Sequence, residues 1–334
     1  MKDYKYRVCV RCMTYNQKQY IQDALLGFCM QETSFPVVFT IVDDASTDGE
    51  PEFLKLWCKK NLSLNEDGIA YQRDMEYGEL IFAGHKEKHN LFFAVLLLKF
   101  NHYRKGVSSK KLDYLFEWMD QAKYYSLCEG DDYWTNPRKL QQQVNFLDSH
   151  PDYTMCFHKA DVKVESGDYS NKPNNMYDDL EEREYSGIEL AQRWRVPTAS
   201  VMYRSFIKPP RDKKLLTGDI PLQLQCASEG RVFCFAESMS VYRRTEGGAS
   251  LRQYSRMQII DRNLAYIHYF PKFKMVYEEY LTKQMGTLFF SKDFIEVIKI
   301  VIKRNALLKY LVVGICYEFN PTLKWLFIKL FKKQ

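Results

Sequence analysis

The sequence lacks the features of a disulfide-rich secreted protein. Its nine cysteines are odd in number and follow no framework spacing. Residues Met1–Arg7 are polar, and the first apolar run is too short for the core of a signal peptide. Internal repeats and low-complexity tracts are also missing. We therefore expect a reducing, cytoplasmic environment with free thiols.

A long uninterrupted apolar run is missing as well. The tail holds the apolar segments Val297–Ile302, Leu307–Ile315 and Leu323–Phe331, but basic residues interrupt them, and none reaches the ~18–20 residues that span a bilayer. From Lys292 to Gln334, nine basic residues face three acidic ones, so the tail carries the whole net charge of +6. This pattern suits peripheral contact with an anionic membrane surface better than nucleic acid. The alternative is that these helices pack on the rest of the protein or form a dimer contact.

Cys9 and Cys12 form a CxxC motif inside Arg7–Met13, a segment whose pattern predicts a strand. Residues three apart on a strand point to opposite faces, so these thiols would share neither a metal ion nor a disulfide. We predict a structural role for both.

The first half of the chain alternates between strand and helix patterns. Apolar or β-branched runs predict the strands, and apolar residues spaced three or four apart predict the helices. This alternation indicates an α/β fold with a mostly parallel, Rossmann-like sheet flanked by helices. The predicted strands are Arg7–Met13, Val37–Val42, Lys123–Cys128 and Tyr153–His158, and the predicted helices are Gln17–Gln31 (N-cap Asn16), one beginning near Pro51, Asn90–Phe100, Leu112–Ala122 and Arg138–Ser149.

The second half is less regular. Ser186 and Glu189 have the spacing of a capping box, and the pattern is helical from about residue 253. We therefore expect one domain over residues 1–250 and a helical, basic C-terminal extension over residues 251–334. The other expected elements are a polar loop over Ser166–Glu184 and strands over Ala199–Arg204 and Arg231–Ala236.

Two acidic clusters follow predicted strands that lie far apart in the sequence. Asp43 and Asp44 come directly after one strand, and Asp131 and Asp132 come after another. The carboxyl ends of parallel strands meet at one edge of a sheet, where ligands bind. At Asp131 and Asp132, adjacent carboxylates favour a hard divalent cation such as Mg²⁺ or Mn²⁺, which can bridge a diphosphate. At Asp43 and Asp44, a carboxylate can instead accept hydrogen bonds from a base or ribose. The alternative for each cluster is an ordinary turn rich in Asp and Gly.

Asp219 precedes Ile220 and Pro221 at the expected start of a short helix. Its carboxylate could act as a general base, or it could be a plain N-cap, where aspartate is favoured. The residue types leave both interpretations open.

Taken together, the motifs resemble a known family. Val42–Asp48 reads VDDASTD and Glu129–Trp134 reads EGDDYW, with Thr14–Asn16 ahead of them and Lys139–Val144 behind. In this order and spacing they resemble the inverting family 2 glycosyltransferases with the GT-A fold, and most of all the bacterial members of surface polysaccharide assembly. The resemblance covers about residues 5 to 250.

The resemblance implies transfer of a sugar from a nucleotide-sugar, a UDP-sugar above all, to a hydroxyl of a saccharide or lipid-linked saccharide. The segment Thr217–Asp219 departs from the family pattern, because the glutamate that often precedes the catalytic base is missing. The implied roles are a nucleotide pocket lined by Thr14, Tyr15 and Asn16, a contact of Asp44 or Asp43 with the base, ribose or diphosphate binding by Asp131, a divalent metal (Mn²⁺ or Mg²⁺) on Asp132, a catalytic base at Asp219, and diphosphate contacts from Tyr242–Arg244 and Gly247–Gly248.

Two other functions compete with glycosyl transfer. A nucleotidyltransferase would normally show a Gly-rich, basic phosphate loop near the N-terminus, which Thr14–Lys18 does not provide. A non-catalytic, membrane-associated scaffold would not need Asp131, Asp132 and Asp219, and all three are present.

Overall fold

A computed structural model describes residues 3–65, 70–170, 174–193, 195–246, 253–289, 294–304 and 307–319. These residues form eleven strands and eleven α-helices. The strands are β1 (Tyr6–Thr14), β2 (Val37–Asp43), β3 (Tyr71–Met75), β4 (Gly78–Gly84), β5 (Leu91–Leu98), β6 (Ala122–Leu127), β7 (Tyr133–Trp134), β8 (Tyr153–Val164), β9 (Arg183–Glu184), β10 (Met202–Arg204) and β11 (Arg231–Arg244). The helices are α1 (Lys18–Cys29), α2 (Glu50–Asn61), α3 (Lys110–Tyr114), α4 (Phe116–Met119), α5 (Lys139–Ser149), α6 (Gly187–Gln192), α7 (Asp219–Glu229), α8 (Arg256–Tyr269), α9 (Lys274–Phe289), α10 (Phe294–Lys303) and α11 (Leu308–Phe319).

The strands form one mixed sheet. Its order is β3-β4-β5-β2-β1-β6-β10-β8-β11-β7, and β9 pairs with β11 outside this path. The central strands β5, β2, β1 and β6 are parallel neighbours, whereas β10 runs antiparallel between β6 and β8. The hairpin β3–β4 is also added antiparallel to β5. The expectation of a mostly parallel sheet is therefore corrected: the Rossmann-like part is confined to the centre.

Both faces of the sheet are buried. Helices α1, α2 and α5 contribute Leu25, Leu54 and Val144 to the core on one face. Helices α4 and α6 contribute Trp118 and Leu190 to the core on the other. Strands that are buried on both faces read as continuous apolar runs, which accounts for the sequences of β2 and β5.

The two cysteines of the CxxC motif point into these two different cores, Cys9 into one and Cys12 into the other. Both are buried and free. Burial raises the pKa of the Cys9 thiol to about 12 and that of Cys12 well above its usual range. The predicted structural role is confirmed, because neither thiol can reach the other.

The segment between α2 and β6 differs from the sequence prediction. Asn90–Phe100, expected as a helix, contains strand β5, which pairs with β2 and β4. The expected helix Leu112–Ala122 is replaced by the short helices α3 and α4. The second of these ends at Met119, and Ala122 already begins β6.

Smaller corrections concern the ends of elements. Gln17, not Asn16, is the N-cap of α1, and it makes no side-chain capping bond. The expected strand Ala199–Arg204 overlaps a 3-10 turn over Thr198–Ser200, so that only β10 remains extended. The capping box of Ser186 and Glu189 is confirmed at the start of α6.

The chain divides into two compact units. The sheet unit comprises Met1–Pro209 and Leu222–Arg252, and the helical unit comprises Pro210–Pro221 and Gln253–Gln334. In the helical unit α9 packs closely on α11, since a Cβ on Gly286 would lie 2.6 Å from the carbonyl oxygen of Gly314. Across the described ranges, no helix is both long enough and apolar enough to cross a bilayer. The apolar segment at residues 323–331 lies outside those ranges.

Candidate active site

The carboxyl ends of β1, β2 and β6 meet at one edge of the sheet. β1 is parallel to both of its neighbours, and its last residue, Thr14, is opposite Asp43. The Asp44 amide donates to the Thr14 carbonyl at 3.0 Å, and the Gly130 amide donates to the Met13 carbonyl at 3.1 Å. We call this set the acidic edge; it brings together Thr14, Tyr15, Asn16, Asp43, Asp44, Asp131 and Asp132, as the sequence predicted.

Asp44 anchors a segment that follows β5. Its carboxylate accepts hydrogen bonds from the backbone amides of His102 at 2.7 Å and Tyr103 at 3.1 Å, and from Lys111 Nζ at 3.0 Å. The side chain is buried, so this ion pair is shielded from water. These three bonds fix Asp44 against the segment that follows β5.

Asp43 closes the turn after β2. Its Oδ1 accepts from the Ser46 amide at 3.0 Å, which is the turn interpretation of this cluster. Its Oδ2 is buried and has no hydrogen-bond partner among the residues that the structure describes. Burial raises the pKa of this carboxyl. A ligand that donates a hydrogen to Oδ2 would satisfy it.

The loops after β1 and β2 are fastened to each other. Asn16 adopts a left-handed backbone conformation with φ of 53°, and its amide donates to Ser46 Oγ at 2.8 Å. Its side-chain oxygen accepts from the Thr47 amide at 2.7 Å. Beside it, the Tyr15 ring lies 5.7 Å from the Arg104 guanidinium. Asn16 thus holds the loop after β1 against the loop after β2, and Tyr15 places an aromatic ring beside them.

Glu50, the first residue of α2, is a buried residue of this edge that the sequence analysis missed. Its carboxylate contacts Thr14 Oγ1 and accepts from the Gln17 amide at 2.8 Å and Ser46 Oγ at 3.1 Å. Burial raises the pKa of Glu50 to about 7. The sequence gives no sign of this role, because an acidic residue at the start of a helix is common there and is stabilised by the helix dipole.

Asp131 and Asp132 are held between β6 and β7. Asp132 is 3% exposed, and its Oδ1 accepts from the Arg243 amide at 2.8 Å. Burial raises the pKa of Asp132 well above its usual range, and the neighbouring Asp131 raises it further. Burial also raises the pKa of Asp131. A cation would relieve the cost of ionising both carboxyls.

The oxygen ligands of Asp131 and Asp132 fit a hard divalent cation. In the described part of the chain, no cluster of three or more His, Cys, Asp or Glu residues could hold a metal ion.

Arg243 ties this pair to the surrounding elements. Its guanidinium donates to the Asp131 carbonyl at 3.0 Å and to Asp23 at 2.6 Å, and it forms an ion pair with Glu165 at 3.0 Å. The sequence prediction placed this arginine near a diphosphate. In the structure its guanidinium is committed to protein groups and only 3% of the residue is exposed.

Asp219 belongs to the helical unit, whereas the acidic edge belongs to the sheet unit. It is the first residue of α7, as expected, and its Oδ1 is buried with no hydrogen-bond partner in the described ranges. Its charge is among the influences that raise the pKa of Tyr266 to about 12, after burial. The predicted contacts of Gly247–Gly248 lie outside the described residues.

Comparisons with known sequences give relatives of unassigned activity. No family model matches the chain. The uncharacterized proteins Rv1520 of Mycobacterium tuberculosis (strain ATCC 25618 / H37Rv) and Mb1547 of Mycobacterium bovis are each 34% identical over 241 residues, 71% of this chain. The chain spans 58% of the length of these relatives.

Comparisons with solved structures identify the fold. The crystal structure of S. aureus TarS 1-349 in complex with UDP-GlcNAc aligns with a TM-score of 0.51 at 14% identity, over 93% of this chain and 81% of that one. The crystal structure of S. aureus TarS aligns with a TM-score of 0.50 at 16% identity, over 86% of this chain and 44% of that one. The GT-A-like glycosyltransferase fold implied by the motifs is thereby confirmed.

Proposed function

We propose that this chain, with its GT-A-like fold, is an inverting glycosyltransferase that moves a sugar from a nucleotide-sugar donor, a UDP-sugar, to an acceptor hydroxyl. One observation carries the proposal most: the two acidic clusters and the Thr14–Asn16 loop meet at a single edge of the sheet. Ligands of such sheets bind outside the carboxyl ends of the strands. The TarS structure that shares this fold holds UDP-GlcNAc, which is the class of ligand we assign to this edge.

We assign each residue of the acidic edge to one part of the nucleotide-sugar. The unsatisfied Oδ2 of Asp43 suits a hydrogen-bond donor of a base or ribose, and the Tyr15 ring suits stacking against a base. A divalent cation, Mn²⁺ or Mg²⁺, would supply positive charge that offsets the charge on a leaving diphosphate. The proposed contacts are Thr14, Tyr15 and Asn16 around the nucleoside, Asp43 and Asp44 at the base, Asp131 at the ribose or diphosphate, and Asp132 at the metal.

Asp219 is the proposed general base. As a carboxylate it would take the proton from the acceptor hydroxyl. The acceptor oxygen then attacks the anomeric carbon from the face opposite the nucleotide, and the sugar–phosphate bond breaks as the sugar–oxygen bond forms. The configuration at the anomeric carbon is inverted in this single displacement.

We assign the acceptor to the class of saccharides or lipid-linked saccharides of surface polysaccharide synthesis. The basic, apolar tail supports this assignment, because it suits a protein that works at the inner face of the cell membrane from the cytoplasm. Nucleic acid is not among the proposed partners.

The first test is UDP binding by calorimetry, with and without Mn²⁺, for the wild type and for Asp132→Asn. Asparagine keeps an oxygen for the Arg243 amide but loses the charge, so we expect the fold to persist and Mn²⁺-dependent affinity to fall at least about tenfold. Asp74→Asn, an exposed site on β3, is the control and should bind like the wild type.

Each other outcome has a defined meaning. Binding without metal dependence would keep the nucleotide pocket and remove the role of Asp132. Failure to bind UDP, GDP or other nucleotides would overturn the transferase and favour a non-catalytic scaffold. A bound donor would next be assayed for the configuration of its transferred sugar.

A further inference from the structure

The hydrogens around Thr14 do not balance if Glu50 is ionised. Thr14 Oγ1 lies within hydrogen-bond distance of Glu50 Oε1 and 3.0 Å from Gln17 Oε1. Both partners are acceptor oxygens, and a hydroxyl has one hydrogen to donate. Gln17 also hydrogen-bonds to the Asp131 carboxyl, a contact that opposes the burial that raises the pKa of Asp131. Since a carboxylate accepts, that bond uses the Gln17 amide nitrogen and leaves the Gln17 oxygen to face Thr14. One of the two contacts therefore needs a hydrogen from elsewhere.

Glu50 can supply that hydrogen from only one of its oxygens. Oε2 already accepts from the Gln17 amide and from Ser46 Oγ. Oε1 is left to carry a proton and to donate it to Thr14 Oγ1. The Thr14 hydrogen is then free for Gln17 Oε1, and every hydrogen in the chain is used once.

We propose that Glu50 keeps a proton until the pH approaches neutrality and acts as a positioning residue, whose proton orders Thr14 and, through Gln17, the side chain of Asp131. This inference rests on the proposed function, because the groups it orders are those assigned to the nucleotide. It links three loops in one continuous chain of hydrogen bonds, Glu50 to Thr14 to Gln17 to Asp131.

The titratable groups that face Glu50 include acids that favour its neutral form. Asp43 faces it from β2, and Asp48, in the preceding loop, accepts from the Glu50 amide at 3.0 Å. The Cys12 thiol faces it from β1. Lys18 on α1 is a cation near this helix start; it is exposed, and its Nζ lies 2.9 Å from where a Cβ on Gly49 would stand. A bound nucleoside diphosphate would add further negative charge and favour the neutral carboxyl more.

The side chains that lie against Gly130 show why the proton matters for the loop that carries Asp131 and Asp132. A Cβ on Gly130 would lie 2.5 Å from Thr14 Oγ1 and 2.6 Å from Gln17 Oε1, so these side chains support the loop that carries Asp131. Ionised Glu50 would draw the Thr14 hydrogen to itself and leave Gln17 Oε1 without a donor. Gln17 would then hold Asp131 less firmly.

The test compares the wild type with Glu50→Gln in UDP affinity, with Mn²⁺ present, from about pH 6 to about pH 8.5. Glutamine keeps an N–H for Thr14 and an oxygen for Ser46, and it does not ionise. We expect equal affinity at the acid end, and a wild-type affinity that falls up to about tenfold per pH unit above 7 relative to the variant. Glu52→Gln, on the exposed side of the same helix, should follow the wild type.

Two results would overturn the proposal: the same pH dependence in Glu50→Gln as in the wild type, or weak binding by that variant at the acid end. Either would mean that a neutral group at position 50 does not order the site.

Thermal melting without ligand separates this proposal from the proposed function. A folded-state pKa raised from 4.5 to about 7 lowers wild-type stability as the pH rises through that interval. Glu50→Gln should therefore melt with the wild type near pH 5 and at a higher temperature near pH 8. Parallel melting curves would overturn the protonation of Glu50 whether or not UDP binds. The expected divergence without any nucleotide binding would support the protonation and overturn the nucleotide site.

Discussion

At the scale of single residues, Lys139 on α5 is a buried cation inside the sheet unit. Its Nζ donates to Gln143 Oε1 at 2.8 Å and to Ser126 Oγ at 3.3 Å, and it lies 4.1 Å from the centre of the Trp134 ring. These contacts join α5 to β7 and so brace the end of the loop that carries the acidic pair. Burial lowers the pKa of this ammonium group to about 7.

The lowered pKa of Lys139 predicts a pH-dependent stability. In the unfolded chain the lysine stays charged to about pH 10.5, whereas in the fold it loses its proton above about 7. Wild-type stability should thus rise with pH across this interval, and the full cost of the buried charge is present below it. We expect Lys139→Met to exceed the wild type by about 2 kcal/mol or more at about pH 6 in urea unfolding.

The advantage of Lys139→Met should shrink towards about pH 10, because the wild type no longer carries the charge there. Lys59→Met, at an exposed position on α2, controls for the change of residue type. A variant less stable than the wild type at acid pH would show that the Trp134 contact outweighs the cost of burial.

The sequence identified some site residues and missed others for a physical reason. Asp131 and Asp132 are visible because two adjacent carboxylates after an apolar run are unusual. Glu50 is not, because its partners Thr14, Gln17 and Ser46 come from other loops, and an acid in isolation reads as surface charge. Arg243 was named for a diphosphate contact, and its partners in the structure, Asp23, Asp131 and Glu165, lie too far away in the sequence to be recognised there. The three donors that satisfy Asp44 lie 58 or more residues further along the chain.

At the scale of elements, the sequence prediction was wrong for one continuous apolar run, Asn90–Phe100, although it was right for another, Val37–Val42. Leu91–Leu98 is apolar at every position, so neither a period of two nor one of 3.6 stands out. The strand is decided by its neighbours, since it fills the place between β2 and β4. The antiparallel pairing of β10 with β6 was not predicted either, because the sequence of a three-residue strand does not show which way it runs in a sheet.

The loop between β6 and β7 gives the prediction at this scale. Gly130 stands where an added methyl would meet Thr14 Oγ1 at 2.5 Å. Gly130→Ala should push the acidic pair away from the β1 loop, weaken UDP binding and cost about 1–3 kcal/mol in urea unfolding. Gly84→Ala is the matched control, since its nearest side-chain atom would be 3.7 Å away. Unchanged binding in Gly130→Ala would show that the two loops need not be in close contact.

At the scale of the whole molecule, the charge is unevenly divided along the chain. The segment from Lys292 onward carries the full surplus of +6, so the remainder, which includes the acidic edge, balances to zero. Each lysine close to an anionic membrane contributes about 1 kcal/mol to binding. The tail therefore has enough charge for peripheral attachment, provided that its apolar residues enter the interface.

Vesicle sedimentation tests the membrane proposal. Lys332→Gln/Lys333→Gln removes two adjacent tail charges, and Lys59→Gln/Lys60→Gln removes two adjacent charges from α2 of the sheet unit. On phosphatidylglycerol vesicles we expect the tail pair to weaken binding about tenfold or more and the α2 pair to leave it nearly unchanged. Wild-type binding should also weaken from about 0.1 M to about 1 M salt, as the Debye length falls from about 10 Å to about 3 Å. Equal losses from both pairs would indicate only a general charge effect. No binding by the wild type would leave the tail with the other interpretation, packing on this protein or on a second copy of it.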